Sequence, residues 1–224
     1  MYAPDELRML GRSLEPHSRV AILSDEIYEK LIFGADAHFS MGSMPSLAAR
    51  TITINGLSKA YAMTGWRLGY LAAPLSVAQA IIRLQGQMTS HVTSFTGPAI
   101  VEALRRGGDS IEAMRRVFAK RAERVHAILS GAPGILCPRA TGAFYVFPDI
   151  GATFGRRSPG GREIRSSSSF ADALLEEASV AVVPGDEFGA GAERHVRLSF
   201  ACADERIEAG YAALASFVRS IMAE

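Results

Sequence analysis

Two short apolar runs, each halted by a polar pair, set the frame of this chain. Val20-Ala-Ile-Leu23 stops at Ser24-Asp25, and Thr51-Ile-Thr-Ile54 stops at Asn55-Gly56. Runs this short, apolar or β-branched and bounded by turn residues, suit strands buried on both faces. Leu68-Gly-Tyr-Leu-Ala72, stopped by Pro74, forms a third. Helical or irregular connections separate them, so the expected architecture is α/β: a mostly parallel sheet covered by helices on both faces.

The helices are legible from capping chemistry and periodicity. Residues 4–16 open with Pro4, Asp5 and Glu6, which suit a first turn, and carry Leu7, Leu10 and Leu14 on one face. Residues 75–87 and 96–106 also have helical character. Ser110 to Ser130 forms a long amphipathic helix with Ile111, Met114, Val117, Phe118, Val125 and Ile128 on its buried side. Beyond it come short strands at 134–136, 143–147, 180–183 and 195–200, interleaved with helices near 168–178 and 204–222. This pattern predicts part of a large domain over 1–108, then a linking helix and a small α+β domain over 109–224. The segment 151–169, rich in Gly, Arg and Ser, is expected to be a mobile loop, and its Arg156, Arg157, Arg162 and Arg165 a solvated cluster.

Charge and composition exclude some classes of partner. The chain has a formal net charge of +1 and 48% hydrophobic residues, so neither nucleic acid nor a membrane surface is an expected partner. No apolar run reaches membrane-spanning length. The first residues, with Asp5, Glu6 and Arg8, are not expected to form a signal peptide. Cys137 and Cys202 lack a metal-like spacing and suit a reducing cytoplasm. The five histidines are scattered, and no metal site is expected.

Asp25 ends the first apolar run and Lys59 lies just past the second. Ligands of a parallel α/β sheet collect at the carboxyl ends of its strands. If the two strands are neighbours, a carboxylate and an amine face one crevice. Arg67 follows Lys59 on the same connection, and its planar fork suits phosphate oxygens. Taken singly, Asp25 is a turn cap, Lys59 a surface lysine and Arg67 a surface ion-pair partner.

The longer text around them is more specific. Ser24-Asp-Glu-Ile-Tyr-Glu29 and Asn55-Gly-Leu-Ser-Lys-Ala-Tyr-Ala-Met-Thr-Gly-Trp-Arg-Leu-Gly-Tyr70 closely resemble class I/II pyridoxal-phosphate-dependent aminotransferases of fold type I. The branch is that of the bacterial aspartate aminotransferases. The resemblance continues through Thr141-Gly-Ala-Phe-Tyr-Val146, Val180-Ala-Val-Val-Pro-Gly185 and His195-Val-Arg-Leu-Ser199. It implies pyridoxal 5′-phosphate as cofactor and an amino acid and a 2-oxo acid as substrates. Lys59 would form the Schiff base and shuttle a proton. Asp25 would pair with the pyridinium nitrogen, Tyr28 would donate to the ring's phenolic oxygen, and Arg67, helped by Ser58, would grip the phosphate. Arg197 would bind the substrate α-carboxylate in a two-pronged pair. Tyr61, Trp66 and Tyr70 are expected to pack, and of Phe144 and Tyr145 one should face the core and the other a cleft.

Family members also carry upstream chain that supplies a glycine-containing turn under the phosphate, a ring stacked on the pyridine, and an Asn-Pro-Thr-Gly motif. Met1-Tyr2-Ala-Pro-Asp-Glu-Leu7 resembles the residues just after that motif. The resemblance therefore implies a truncated or fragmentary aminotransferase, the C-terminal portion only, with an apolar sheet edge left open. It also implies a cytoplasmic homodimer in the full-length form, with 85–97 resembling an interface stretch. Three alternatives stand beside it. One is an inactive remnant needing a complementing N-terminal chain. Another is a carbon–sulfur lyase, which typically has His where this chain has Tyr28. The third is the aminotransferase-like domain of a transcription regulator.

Overall fold

In the computed structural model, which describes residues 1–34 and 37–223, the chain divides into two compact units, Met1–Arg115 and Arg116–Glu224.

The first unit is built on a three-stranded sheet of β1 (Ile22–Asp25), β2 (Thr51–Gly56) and β3 (Gly69–Ala72), in that order. β1 and β2 are parallel, with Asp25 opposite Ile54. β3 runs antiparallel to β2, with Gly56 opposite Gly69. The expected sheet is mostly parallel, and β3 is its antiparallel member for a physical reason. A parallel return requires a crossover, usually a helix, to carry the chain back along the sheet. The connection from Leu57 to Leu68 holds only turns and one short 3-10 turn, Thr64–Trp66, so the chain comes straight back.

Helix α1 (Pro4–Leu14) starts as its sequence predicts: Pro4 occupies the first turn, and the Glu6 carboxylate accepts the Ala3 N–H at 2.6 Å. Its end is fixed from a distance. The Arg50 guanidinium donates to the carbonyls of Leu14, His17 and Val20 at 2.6–2.8 Å, closing the helix terminus and delivering the chain into β1. A short helix α2 (Pro45–Ala48) precedes β2. After β3 come α3 (Leu75–Met88) and α4 (Thr96–Arg106). α3 buries none of its residues, and Leu75, Ile82, Leu84 and Met88 are all more than 60% exposed. Phe95, Val101 and Leu104 are exposed likewise. Exposed large apolar side chains in such number are unusual on two successive helices.

Helix α5 (Gly108–Ser130) contains the boundary between the units. Ile111, Phe118, Ala122, Val125 and Leu129 are its buried positions, whereas Val117, expected inside, is 44% exposed. The second unit sets β4 (Tyr145–Val146), β6 (Val196–Ser199) and β5 (Val183–Pro184) side by side in that order, all antiparallel. The run at 134–136 contributes only a bridge between Leu136 and Asp149. Two helices, α6 (Ser167–Ala178) and α7 (Asp204–Ala223), complete the unit. α6 opens with a reciprocal Ser166–Ser169 capping box. Phe170, Leu174, Val196, Leu198, Phe200, Ile207, Leu214 and Val218 are all at most 5% exposed and form the core. Phe118 meets Phe144 at 5.5 Å and Phe200 at 6.2 Å between ring centres.

The segment expected to be mobile is tied down. Thr153, Ser158 and Ile164 are buried, Gly155 and Ile164 pair through their backbones with Ile164 and Arg156, and Glu177 accepts from Ser158 Oγ and the Gly160 N–H at 2.6 and 2.7 Å. Its arginines are mostly engaged: Arg157 donates to the Gly161 carbonyl, Arg162 pairs with Glu176, and Arg165 with Glu163. Sequence composition could not reveal the contacts with Glu176 and Glu177, because those residues lie on α6.

Among the described residues, no helix is long and apolar enough to cross a membrane. Nor does any group of three His, Cys, Asp or Glu among them come together as metal ligands.

Candidate functional site

Because β1 and β2 are adjacent and parallel, their carboxyl ends lie side by side. Asp25 is the last residue of β1, and the loop that begins at Leu57 leaves the same end of β2. This loop has a simple logic. Leu57, Ala60 and Leu68 are buried at 5% exposure or less and anchor it to the unit, which leaves Ser58 and Lys59 half-buried between them. Backbone bonds from Tyr61 and Met63 to the Leu57 carbonyl, and from Ala62 to that of Lys59, close the turn. Thr64 Oγ1 donates to the Ser58 carbonyl at 2.8 Å.

The loop also carries strain. Ala62 and Arg67 have φ of 53° and 55°, the left-handed region that side chains with a Cβ rarely adopt. Such conformations persist where the surroundings enforce them, and they cluster at functional sites. Arg67 is exposed, with its guanidinium donating to the Thr64 carbonyl at 3.0 Å.

Asp25 is also exposed, and its Oδ1 accepts the Ile27 N–H at 3.1 Å. Tyr28 sits in the turn that follows and is half-buried. Asp25, Tyr28, Ser58, Lys59 and Arg67 thus all lie in the two segments leaving the carboxyl ends of β1 and β2. Trp66 and Tyr70, expected to pack, are each 45% exposed. Partial burial raises the Tyr70 phenol above its ordinary pKa, and the Glu29 carboxylate and Tyr61 add to the effect.

Arg197 belongs to the second unit, on β6 opposite Val183. Its guanidinium lies 4.8 Å from the centre of the Tyr145 ring and 4.9 Å from that of Phe188. Two aromatic faces restrict the fork while leaving its N–H edge available for a planar acceptor. Phe144 meets Phe118 at 5.5 Å and Tyr145 lies under Arg197, but the two neighbouring rings are only 4.7 Å apart. They are not divided between opposite faces as expected, because Phe144 stands in the turn before β4, where strand alternation does not hold.

Sequence reasoning missed a buried cluster behind Asp25. Glu26, 7% exposed, accepts from Ser24 Oγ at 3.0 Å and Ser40 Oγ at 2.7 Å, and its other oxygen meets His38 Nε2 at 2.7 Å. One signal was available: strand alternation turns Glu26 to the face opposite Asp25, and a buried acid needs partners.

An amine and a carboxylate at neighbouring strand ends, with a guanidinium on the same loop, form a donor set suited to an aromatic aldehyde that bears a basic ring nitrogen and a phosphate. This is the plan of pyridoxal-phosphate-dependent transferases of fold type I. Within that class the chain belongs to the family of class I and II aminotransferases, whose model matches residues 1–214. The chain is 42% identical over 209 residues to a probable aspartate/prephenate aminotransferase of Rhizobium leguminosarum bv. phaseoli, covering 92% of this chain and 52% of that protein. It is 40% identical to an aspartate aminotransferase of Geobacillus stearothermophilus, covering 93% and 51%. The crystal structure of an aspartate aminotransferase from Rhizobium meliloti superposes with a TM-score of 0.93 at 33% identity, covering 98% of this chain and 55% of that one. The chain therefore spans about half the length of the curated relatives it matches. The family is one of pyridoxal-phosphate-dependent enzymes.

Proposed function

We propose that this chain carries the lysine-bearing part of an aminotransferase that moves an amino group between an amino acid and a 2-oxo acid. The observation that supports the reading is that Asp25 ends β1 and Lys59 follows the carboxyl end of β2, its parallel neighbour.

Pyridoxal 5′-phosphate, when bound, supplies an aldehyde that captures amines and a ring that accepts an electron pair. Every other part is assigned to the chain. Lys59 Nζ would hold the aldehyde carbon and, once released, would take and return a proton at the substrate Cα. The Asp25 carboxylate keeps the ring nitrogen protonated, and Tyr28 donates to the phenolic oxygen. Arg67 binds the phosphate, with the Ser58 hydroxyl beside it. Arg197 takes the α-carboxylate, its fork held between Tyr145 and Phe188. Aspartate is the amino donor to try first, because the relatives named above are aspartate or aspartate/prephenate aminotransferases. A homodimer is in keeping with the exposed apolar residues of α3 and α4, and a reducing cytoplasm with two free cysteines.

One observation favours a second reading, in which the first unit binds the cofactor only when further polypeptide covers it. Asp25 is exposed and Leu23 is 67% exposed. A carboxylate open to water holds a pyridinium more weakly than one in a dry site. Purified chain mixed with pyridoxal phosphate and then aspartate separates the two readings. Visible absorption that is lost on adding aspartate supports the aminotransferase. Absorption appearing only with a longer form of the protein supports the second reading.

A further inference from the structure

The Glu26 cluster plays no part in the roles above, and its cost demands a reason. Burying a carboxylate is expensive, and a buried ionic group is weak evidence for stability, since apolar residues of similar size commonly serve a core as well. What such a group does provide is one defined geometry for the backbone that bears it.

Glu26 is fixed in every direction. Its N–H donates to the Ile54 carbonyl at 2.8 Å, and its own carbonyl accepts the Glu29 N–H at 2.9 Å. Its side chain collects Ser24 from β1 itself and His38 and Ser40 from the segment leading to the Met41–Ser43 turn. Ser24 and Glu26 flank Asp25 and point to the opposite face. The peptide units on both sides of Asp25 are thereby held from behind, while its Oδ1 takes the Ile27 N–H in front.

We propose that Glu26, through Ser24, His38 and Ser40, is a positioning residue that sets the direction of the Asp25 carboxylate toward the cofactor's ring nitrogen. The proposal rests on the assignment of Asp25 and Lys59 made above. Removing the carboxylate releases the 38–40 segment and frees the turn at 25–27, whereas an amide of the same shape keeps most of the contacts. Outer partners of this kind ordinarily change ligand affinity by about tenfold or more when removed.

The test compares Glu26→Ala and Glu26→Gln with the parent chain by three measurements. These are the melting temperature, amide hydrogen exchange at Ile27 without cofactor, and the pyridoxal phosphate dissociation constant with its absorption spectrum. Glu26→Ala is expected to speed exchange at Ile27 while β3 amides stay protected. It should also weaken cofactor binding about tenfold and shift the absorption toward that of Asp25→Asn. Glu26→Gln should restore both. Unchanged Ile27 exchange in Glu26→Ala overturns the proposal even if no cofactor binds. So does an Ala variant whose affinity falls only in step with its melting temperature and whose spectrum does not move. Failure of the parent chain and of a longer form to bind the cofactor through Lys59 counts instead against the functional reading, and the exchange result then decides the positioning claim alone.

Discussion

The Glu26 N–H donates to the Ile54 carbonyl at 2.8 Å, so the parallel ladder between β1 and β2 runs one residue past Asp25. Asp25 is consequently held within the ladder, although it ends its strand. Two further constraints act on the neighbouring loop: buried Leu57 and Ala60 pin it, and left-handed backbone at Ala62 and Arg67 turns it. The two segments that bear Asp25 and Lys59 are thus held by backbone hydrogen bonds and packing.

Asp25→Ala is expected to lower amino transfer at least about 100-fold, the scale of losing an aimed electrostatic partner. Asp25→Asn should be nearly as damaging, since an amide keeps the shape but cannot hold the ring nitrogen's proton. Steady-state rates with aspartate and a 2-oxo acid, alongside melting curves, check this.

Arg197→Lys keeps the charge and loses the fork. It should raise the KM for the amino donor by about 10–100-fold, equivalent to about 1.5–3 kcal/mol for a charged hydrogen bond. Phe188→Ala leaves the guanidinium and removes one of its two flanking rings, so a smaller rise is expected, about 1 kcal/mol. Kinetics over a range of donor concentrations distinguishes the two variants.

Gly185, in the Val-Val-Pro-Gly motif, sits against backbone. A methyl group there would run into the carbonyl of Ala192, and backbone cannot move aside as a side chain can. Gly185→Ala should cost about 3 kcal/mol or more, which is read as a fall in the urea midpoint of the second unit.

Burial pushes the Cys137 thiol from its ordinary 9.0 up to about 11. At about pH 8 an alkylating reagent should label the exposed Cys202 and spare Cys137 until the protein is unfolded. A raised folded-state pKa gives stability that is full below the unfolded value of 9.0 and is lost as pH rises through about 11. Between those limits the parent's urea midpoint should fall more steeply than that of Cys137→Ala. Equal slopes would contradict the assignment.

Much of this was legible in the residues. Every long helix announced itself through periodicity and first-turn chemistry, and α3 and α4 emerged within a residue or so of expectation. The loop after β2 was legible because its text is specific. Three things were not. The direction of β3 depends on what the connection contains, not on the strand's own composition. The Glu26 cluster and the anchoring of 153–164 depend on partners far along the chain, Ser40 and His38 in one case and Glu177 in the other. Val117 was placed on the wrong side of α5 because apolar character alone does not fix a helix's rotation, and Ala122 and Leu129, left out of the expected stripe, occupy the buried face.

The most direct test of the central claim uses the small number of amines. The chain contains three lysines, Lys30, Lys59 and Lys120. Protein incubated with pyridoxal phosphate, reduced with borohydride and digested should yield one phosphopyridoxyl peptide, spanning Lys59, with Lys30 and Lys120 unmodified at stoichiometric cofactor. Label shared among the three lysines, or retained at full yield in Lys59→Ala, would contradict the account.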